Sequence, residues 1–354
     1  MLFDPKLSKP LPLPEQGSWG ETTHKFDKSA VWAVRAGLAS TRPLLLRGEP
    51  GIGKSQLARA AAVELKVPFL PHVIDERSER DDLLFTFDAV ARLAEAQVAA
   101  LSAQAEMELA KMDSNAAQSK TPAWRTALEE GNFFRPGVLW WAYNWASAEA
   151  QAKRYRSHCR ECLPPVIPCD RKGAPLWSPD AVRPCGPVVL IDEIDKADPS
   201  LPNGLLECLG NQGFSAVQLG REIRLAEGAK PPLIFITTNE ERELPAAFLR
   251  RCLVLRMSLP KDPTKLRGFL VNDRARVFWT VDEVSDAVCD KVIKQLIDER
   301  ELAGQQGSAL PGAAEFLDTL KILVELHSGK EAAQLKVLEE IRDFVLKKGA
   351  DEAP

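Results

Sequence analysis

No apolar run in the sequence approaches the roughly 18 residues that would cross a bilayer as a helix. Its start, MLFDPKLSKPLPLP, is broken by prolines and lacks the apolar centre of a secretory signal. There is no basic excess either. Lys and Arg number 46 against 50 Asp and Glu, and the formal charge of −4 argues against a protein that mainly coats nucleic acid. No repeat of fixed period runs along the chain. What is present is an ordinary globular composition, 45% hydrophobic and 27% charged, over 354 residues. That length allows one large domain and a smaller one.

The patterning divides the chain. Residues 1–23 read as an extended arm. A helix is expected from Asp27, its cap, to Ala39, with Ala30, Val31, Val34 and Leu38 on one face. Leu44–Leu46 reads as a short buried strand, 55–65 as a helix and Val67–Ile74 as a second strand. Residues 88–112 have a long helical pattern with apolar positions at Val90, Leu93, Leu101, Leu109 and Met112. This could be an alanine-rich surface helix or a partner-binding one. FFRPGVLWWAYNWASA reads as a further helix, and 151–186 as an aperiodic insertion rich in proline and cysteine. Val188–Ile191 and Leu233–Thr237 read as strands, and Leu201–Leu209 as a helix. Beyond Leu259 the pattern is helical throughout, near 281–302, 313–327 and 330–348. The fold class expected is therefore α/β with a parallel central sheet, over 1–259, followed by an α-helical domain over 260–354.

The chemistry is most legible in Gly48-Glu49-Pro50-Gly51-Ile52-Gly53-Lys54-Ser55, a full match to G-x-x-x-x-G-K-[ST], followed by Gln56. The glycines let backbone N–H groups converge on a phosphate that a Cβ would keep away. Lys54 supplies positive charge, and the Ser55 hydroxyl is a ligand for Mg²⁺. The helix after the loop adds the partial positive charge of its N-terminus. A second half is expected at a neighbouring strand tip, and VVLIDEID at 188–195 provides it. Asp192 is placed to hold the metal through its water shell and Glu193 to polarise an attacking water.

This acidic pair separates the nucleotide-binding classes. A metabolite kinase excludes water, so a water-activating Glu beside the metal Asp argues against one. The N-K-x-D motif with which GTPases read guanine has no counterpart, since Asp195-Lys196-Ala197-Asp198 begins with the wrong residue. An LSGGQ-type signature is missing too. ATP hydrolysis remains, with ATP and Mg²⁺ as the implied ligands.

Ile234-Phe235-Ile236-Thr237-Thr238-Asn239 resembles the sensor 1 strand of AAA+ ATPases, and LPAAFLRRC at 244–252 resembles the box that ends in their arginine finger. With GEPGIGKS, VVLIDEIDKADPSLPNGLLECL and the helical tail, these motifs resemble a MoxR-type AAA+ ATPase over about residues 24–330. The resemblance implies a P-loop αβα sandwich with a helical lid, assembled as a hexameric ring. It implies that Asn239 senses the γ-phosphate and that Arg251, ahead of Arg250, reaches the next subunit's site. It places a helix-2 insert at 80–137 and a β-hairpin at GFSAVQLGREIRL. It also implies a chaperone-like motor acting on a protein client, often with a von Willebrand factor A domain partner. The lid arginine of such proteins has no clear counterpart near Ala309-Leu310-Pro311-Gly312. A nucleic-acid motor of the same fold, and an ATP-dependent assembly switch with little turnover, stay open as alternatives.

Three features stand apart. Cys159, Cys162, Cys169 and Cys185 could build a tetrahedral Zn²⁺ site with His158 in reserve, or remain free thiols. The spacing of the second pair is not the usual short one. Lys153, Arg154, Arg156 and Arg160 make the same stretch locally basic. Phe133 and Phe134 could grip a threaded polypeptide or belong to the core, whereas Trp140 and Trp141 read as core. An intracellular nucleotide ligand and the lack of a signal sequence point to the cytoplasm.

Overall fold

The computed structural model describes residues 3–7, 9–112, 126, 128–156, 165–169, 174–179 and 183–346. Its centre is a five-stranded parallel sheet of β1 (Leu44–Gly48), β2 (Phe69–Val73), β3 (Val188–Asp192), β4 (Leu233–Thr238) and β5 (Leu253–Met257). The spatial order is β5-β1-β4-β3-β2. The crossovers of a parallel sheet place helices on both of its faces, so its inner strands can be apolar at successive positions. Leu44, Leu45 and Leu46 in β1 and Val188–Ile191 in β3 are accordingly all buried.

Helices pack on the sheet. Helix α1 (Lys28–Ser40) starts where the Asp27 carboxylate accepts from the Ala30 N–H at 2.8 Å. Its buried residues include Ala30, Val31 and Val34, as expected from the pattern. Helix α2 (Lys54–Leu65) follows the phosphate loop and buries alanines that let it lie close to the sheet. The arm is less free than a proline-rich opening suggests. Leu11–Leu13 pairs antiparallel with Thr22–His24. The buried Arg59 of α2 ties the arm down by donating to the carbonyls of Pro14, Trp19 and Gly20.

The segment FFRPGVLWWAYNWASA departs from a single helix. Phe134–Pro136 is a strand antiparallel to Phe85–Phe87, and helices Val138–Tyr143 and Trp145–Arg156 come after it. Pro136-Gly137 breaks the run, because proline disfavours a helical residue before it. This small hairpin brackets the helix Ala89–Met112, whose Val90, Leu93 and Leu101 are exposed. The side chains of Leu109 and Met112 lie outside the described residues. A second hairpin, Gly213–Ala216 with Arg221–Arg224, turns through Gly220 in the left-handed region, φ 58°.

A second apolar cluster lies in the helical region. It gathers Leu270, Val288, Val292, Leu296, Phe316, Leu320, Leu323 and Leu338 from Asp286–Gln306, Ala313–His327, Glu331–Val345 and a preceding broken helix. The helical character of that segment is as the pattern beyond Leu259 leads one to expect, but its breaks are not. It runs Pro263–Arg267, then a π-helical stretch Gly268–Ala275, then Arg276–Phe278. The whole is an αβα P-loop sandwich followed by a helical lid. Among the described residues no helix is long and apolar enough to cross a membrane.

Candidate phosphate-binding and hydrolytic site

Because the sheet is parallel, the ends of β1, β3 and β4 come out on one edge. The register sets Ile236 beside Ile191 and Thr238 beside Arg47. The loop after β1, Asp192 ending β3 and Asn239 just past β4 therefore meet at one crevice, the usual place for ligands in such sheets. Two glycines shape the loop. A Cβ on Gly48 would collide with the carbonyl oxygen of Met257, and Gly53 opens α2 with φ 98°.

Pro50, Gly51, Gly53, Lys54, Ser55, Gln56, Asp192, Glu193 and Asn239 line one cavity of about 390 Å³. Ser55 Oγ lies 2.7 and 2.9 Å from the two carboxylate oxygens of Asp192 and donates to that group. Both are hard oxygen donors, which suits Mg²⁺, a cation that keeps waters and phosphates as its remaining ligands. Lys54 Nζ donates to the carbonyls of Gly48 and Glu49 at 2.7 and 2.8 Å and to Asn239 Oδ1 at 2.8 Å. Burial disfavours its charged form and lowers its pKa, while Asp192, Asp195, Glu193 and Glu240 pull the other way. Asn239 Nδ2 reaches Glu193 Oε1 at 3.2 Å, and Lys196 Nζ pairs with Glu193 Oε2 at 2.5 Å. Glu193 sits in the left-handed region, φ 59°, a conformation that costs a non-glycine residue on the order of 1 kcal/mol.

Several residues of this site carry no motif. Thr237 Oγ1 donates to Asp192 Oδ1 at 2.6 Å and accepts from the Glu193 N–H at 2.8 Å, fixing the Asp192 carboxylate and the Glu193 backbone to the sheet. Its signal was a polar residue closing an apolar strand. Asp195 is buried and accepts from the N–H groups of Asn239 and Glu241 at 3.1 and 2.9 Å, holding the Asn239 turn. From the helical region come Arg274, Ala314, Leu317 and Asp318. Arg300 pairs with Glu49 at 2.8 Å and donates to the Pro311 carbonyl at 2.6 Å, and Ile52 is buried in the helical cluster. The loop is thus gripped from both sides.

Arg251 does not join this cavity. It lines another, of about 760 Å³, with Arg42 and Arg250, and donates to the Leu206 carbonyl at 2.7 Å. Arg42 holds the end of the helix Ala246–Arg251 by donating to the carbonyls of Arg250, Arg251 and Cys252. Phe133 and Phe134 are both 1% exposed, so neither is placed to grip a polypeptide, and Trp140 and Trp141 are buried as expected. A zinc site finds no support. Cys159, Cys162 and His158 lie outside the described residues, Cys169 is exposed, and Cys185 is a buried free thiol whose pKa burial pushes up to about 12. Among the described residues no group of three or more His, Cys, Asp or Glu could hold a metal.

Fold and site together define an α/β P-loop protein with a helical lid. No protein-family model and no curated protein matches the sequence. Among solved structures the chain is similar to the RuvB Holliday junction branch migration motor of Thermotoga maritima. The identity is 14% and the TM-score 0.41, covering 92% of this chain and 70% of that one. A candidate ATPase from Cytophaga hutchinsonii aligns at 13% identity and a TM-score of 0.32, over 90% of this chain and 79% of that one. At these values the likeness assigns neither activity nor partner. The fold rests on the sheet order and the loop geometry.

Proposed function

We propose that the chain is an AAA+ ATPase of the MoxR type, which binds ATP with Mg²⁺ and couples its hydrolysis to remodelling of a protein client. The observation that carries the hydrolytic reading is the direct bond of Ser55 Oγ to Asp192 with Glu193 beside it in the same cavity. In this reading Lys54 exchanges its carbonyl and Asn239 acceptors for phosphate oxygens. Bound Mg²⁺ would neutralise phosphate charge between Ser55 and Asp192. Asn239, released by Lys54, turns its amide to the γ-phosphate, and Glu193 accepts the proton of the attacking water. Arg251 serves a neighbour's site within a homo-oligomeric, hexameric ring, and a von Willebrand factor A domain protein is the accompanying partner.

Lys196 favours one alternative, an ATP-dependent assembly switch with little turnover, because its ammonium occupies one oxygen of the proposed base. A single pair of measurements separates the two. Glu193→Gln should keep ATP binding and lower hydrolysis by about 10²- to 10⁴-fold relative to wild type. Equal turnover in both proteins would remove Glu193 from the chemistry. Negligible turnover in wild type with tight ATP binding would favour the switch.

A further inference from the structure

The helical wall of the phosphate cavity lacks the cation that the resemblance leads one to expect near Ala309–Gly312. What reaches the loop there is Ala314, whose Cβ lies 2.7 Å from where a Cβ would stand on Gly51. A methyl group brings no charge to a phosphate. Arg274, from the π-helical stretch Gly268–Ala275, brings one. Short π-helical segments within α-helices are frequent at functional sites.

We propose that Arg274 is the lid's own phosphate-binding residue, donating to the α- and β-phosphates of the nucleotide cradled by Gly51–Ser55. The inference rests on the nucleotide-binding reading of that loop. Its guanidinium nitrogens lie 3.4 and 3.6 Å from where a Cβ would stand on Gly53, so they fill the space which that glycine leaves open. Nη2 donates to the Ile52 carbonyl at 3.0 Å, and the guanidinium lies over the Phe269 ring at 4.5 Å. These contacts hold the planar fork in place but use few of its five donors. Nε is buried and has no partner among the described residues. Burial lowers the pKa, with Asp273 and Asp27 opposing it, so the charge is only partly compensated within the chain and an anion would complete it. Arg274 also borders a neighbouring cavity of about 370 Å³ with His24, Phe26, Leu57 and Phe269. It therefore stands between the phosphate crevice and a second space, next to the part of the loop whose backbone holds the α- and β-phosphates.

The alternative is that Arg274 only ties the lid to the loop, as Arg300 does through Glu49. Three variants of the full chain, Arg274→Met, Arg300→Met and Arg274→Lys, separate the roles. Arg274→Met keeps the aliphatic stem over Phe269, while Arg300→Met removes the other tie and leaves the cavity-facing cation. Titration with fluorescent ATP and ADP in Mg²⁺ should show Arg274→Met weakened about 10- to 100-fold for both nucleotides. Arg300→Met should lose much less, and Arg274→Lys should recover part of the affinity. If Arg274→Met binds no worse than Arg300→Met, the inference is overturned. A loss confined to ATP would overturn the assignment to the α- and β-phosphates. Failure of the wild-type chain to bind either nucleotide would instead sink the reading of the loop itself.

Discussion

The two walls of the phosphate cavity are built in opposite ways. On the sheet wall Asp192, Glu193, Thr237 and Asn239 come from the ends of adjacent strands, Lys54 and Ser55 open α2 just after the loop, and these groups bond to one another. Strand pairing and the first turn of α2 already hold these residues or their immediate neighbours, so each hydrogen bond orders little additional chain. On the lid wall Arg274 and Ala314 come from separate helices and rest on an apolar cluster of their own. The walls are tied by a few polar links: Arg300 to Glu49, Arg274 to Ile52, and Lys25 to Asp273 at 2.5 Å. The two ion pairs among them are partly exposed, and such pairs contribute little individually. In the function proposed above, the sheet wall would supply preorganised chemistry and the lid wall would register whether a nucleotide is present.

A third wall would come from outside the chain, and its loss gives the largest expected effect. Arg251 lines a different cavity from Lys54, so in a single chain it has no part in the site just described. If it completes a neighbour's site, Arg251→Ala should lower ATPase activity by about 10³- to 10⁵-fold. Mixing it with Lys54→Ala chains should then restore some turnover, since a mixed ring contains interfaces with an intact loop facing an intact arginine. Co-purification of differently tagged Arg251→Ala and Lys54→Ala chains would verify the mixed oligomers. No recovery in them, or recovery only with Arg250→Ala in place of Arg251→Ala, would move or remove the assignment.

How legible the two walls were in the sequence follows from the same difference. Each residue of the sheet wall sits in a short contiguous motif next to an apolar strand, because a strand end can offer only its last residues to the crevice. GEPGIGKS, VVLIDE and IFITTN were readable for that reason. Arg274 meets Ile52 across 222 positions and Arg300 meets Glu49 across 251. No local pattern signals a contact of that kind, and the π stretch that aims Arg274 has no sequence signature. Thr237 lay between: its place in the strand was clear, its bond to Asp192 was not. The hairpin at Phe85–Phe87 and Phe134–Pro136 was missed because its strands are three residues long and separated by a helix.

Whether the walls belong to separately cooperative units can be tested in their cores. Leu190, on β3, and Leu320, in the helical cluster, are both fully buried, and each truncation to alanine should cost about 2–5 kcal/mol. Two units would answer differently in denaturant. Leu190→Ala would shift the transition seen by the tryptophans of the sheet unit, and Leu320→Ala would shift one seen by Trp279, which packs on the helical cluster. One transition, lowered equally by both substitutions, would show that the lid wall is as firmly integrated as the sheet wall.

The smallest effect concerns His24, which borders the same cavity as Arg274. It is 4% exposed, and burial, with Arg274 adding repulsion and Asp27 opposing, lowers its pKa to about 4. The folded chain therefore resists protonating it, whereas the unfolded chain takes up the proton near the ordinary value of 6.5. Between those values the unfolded state binds more protons, so stability must fall as the pH falls. From the two pKa values the loss is on the order of 2 kcal/mol by pH 5. Denaturant midpoints at pH 7 and pH 5 should converge for His24→Gln relative to wild type, since glutamine cannot titrate. If wild type and variant lose the same stability over that interval, His24 does not carry the acid sensitivity, and its burial behind the lid wall opposes protonation less than its surroundings imply.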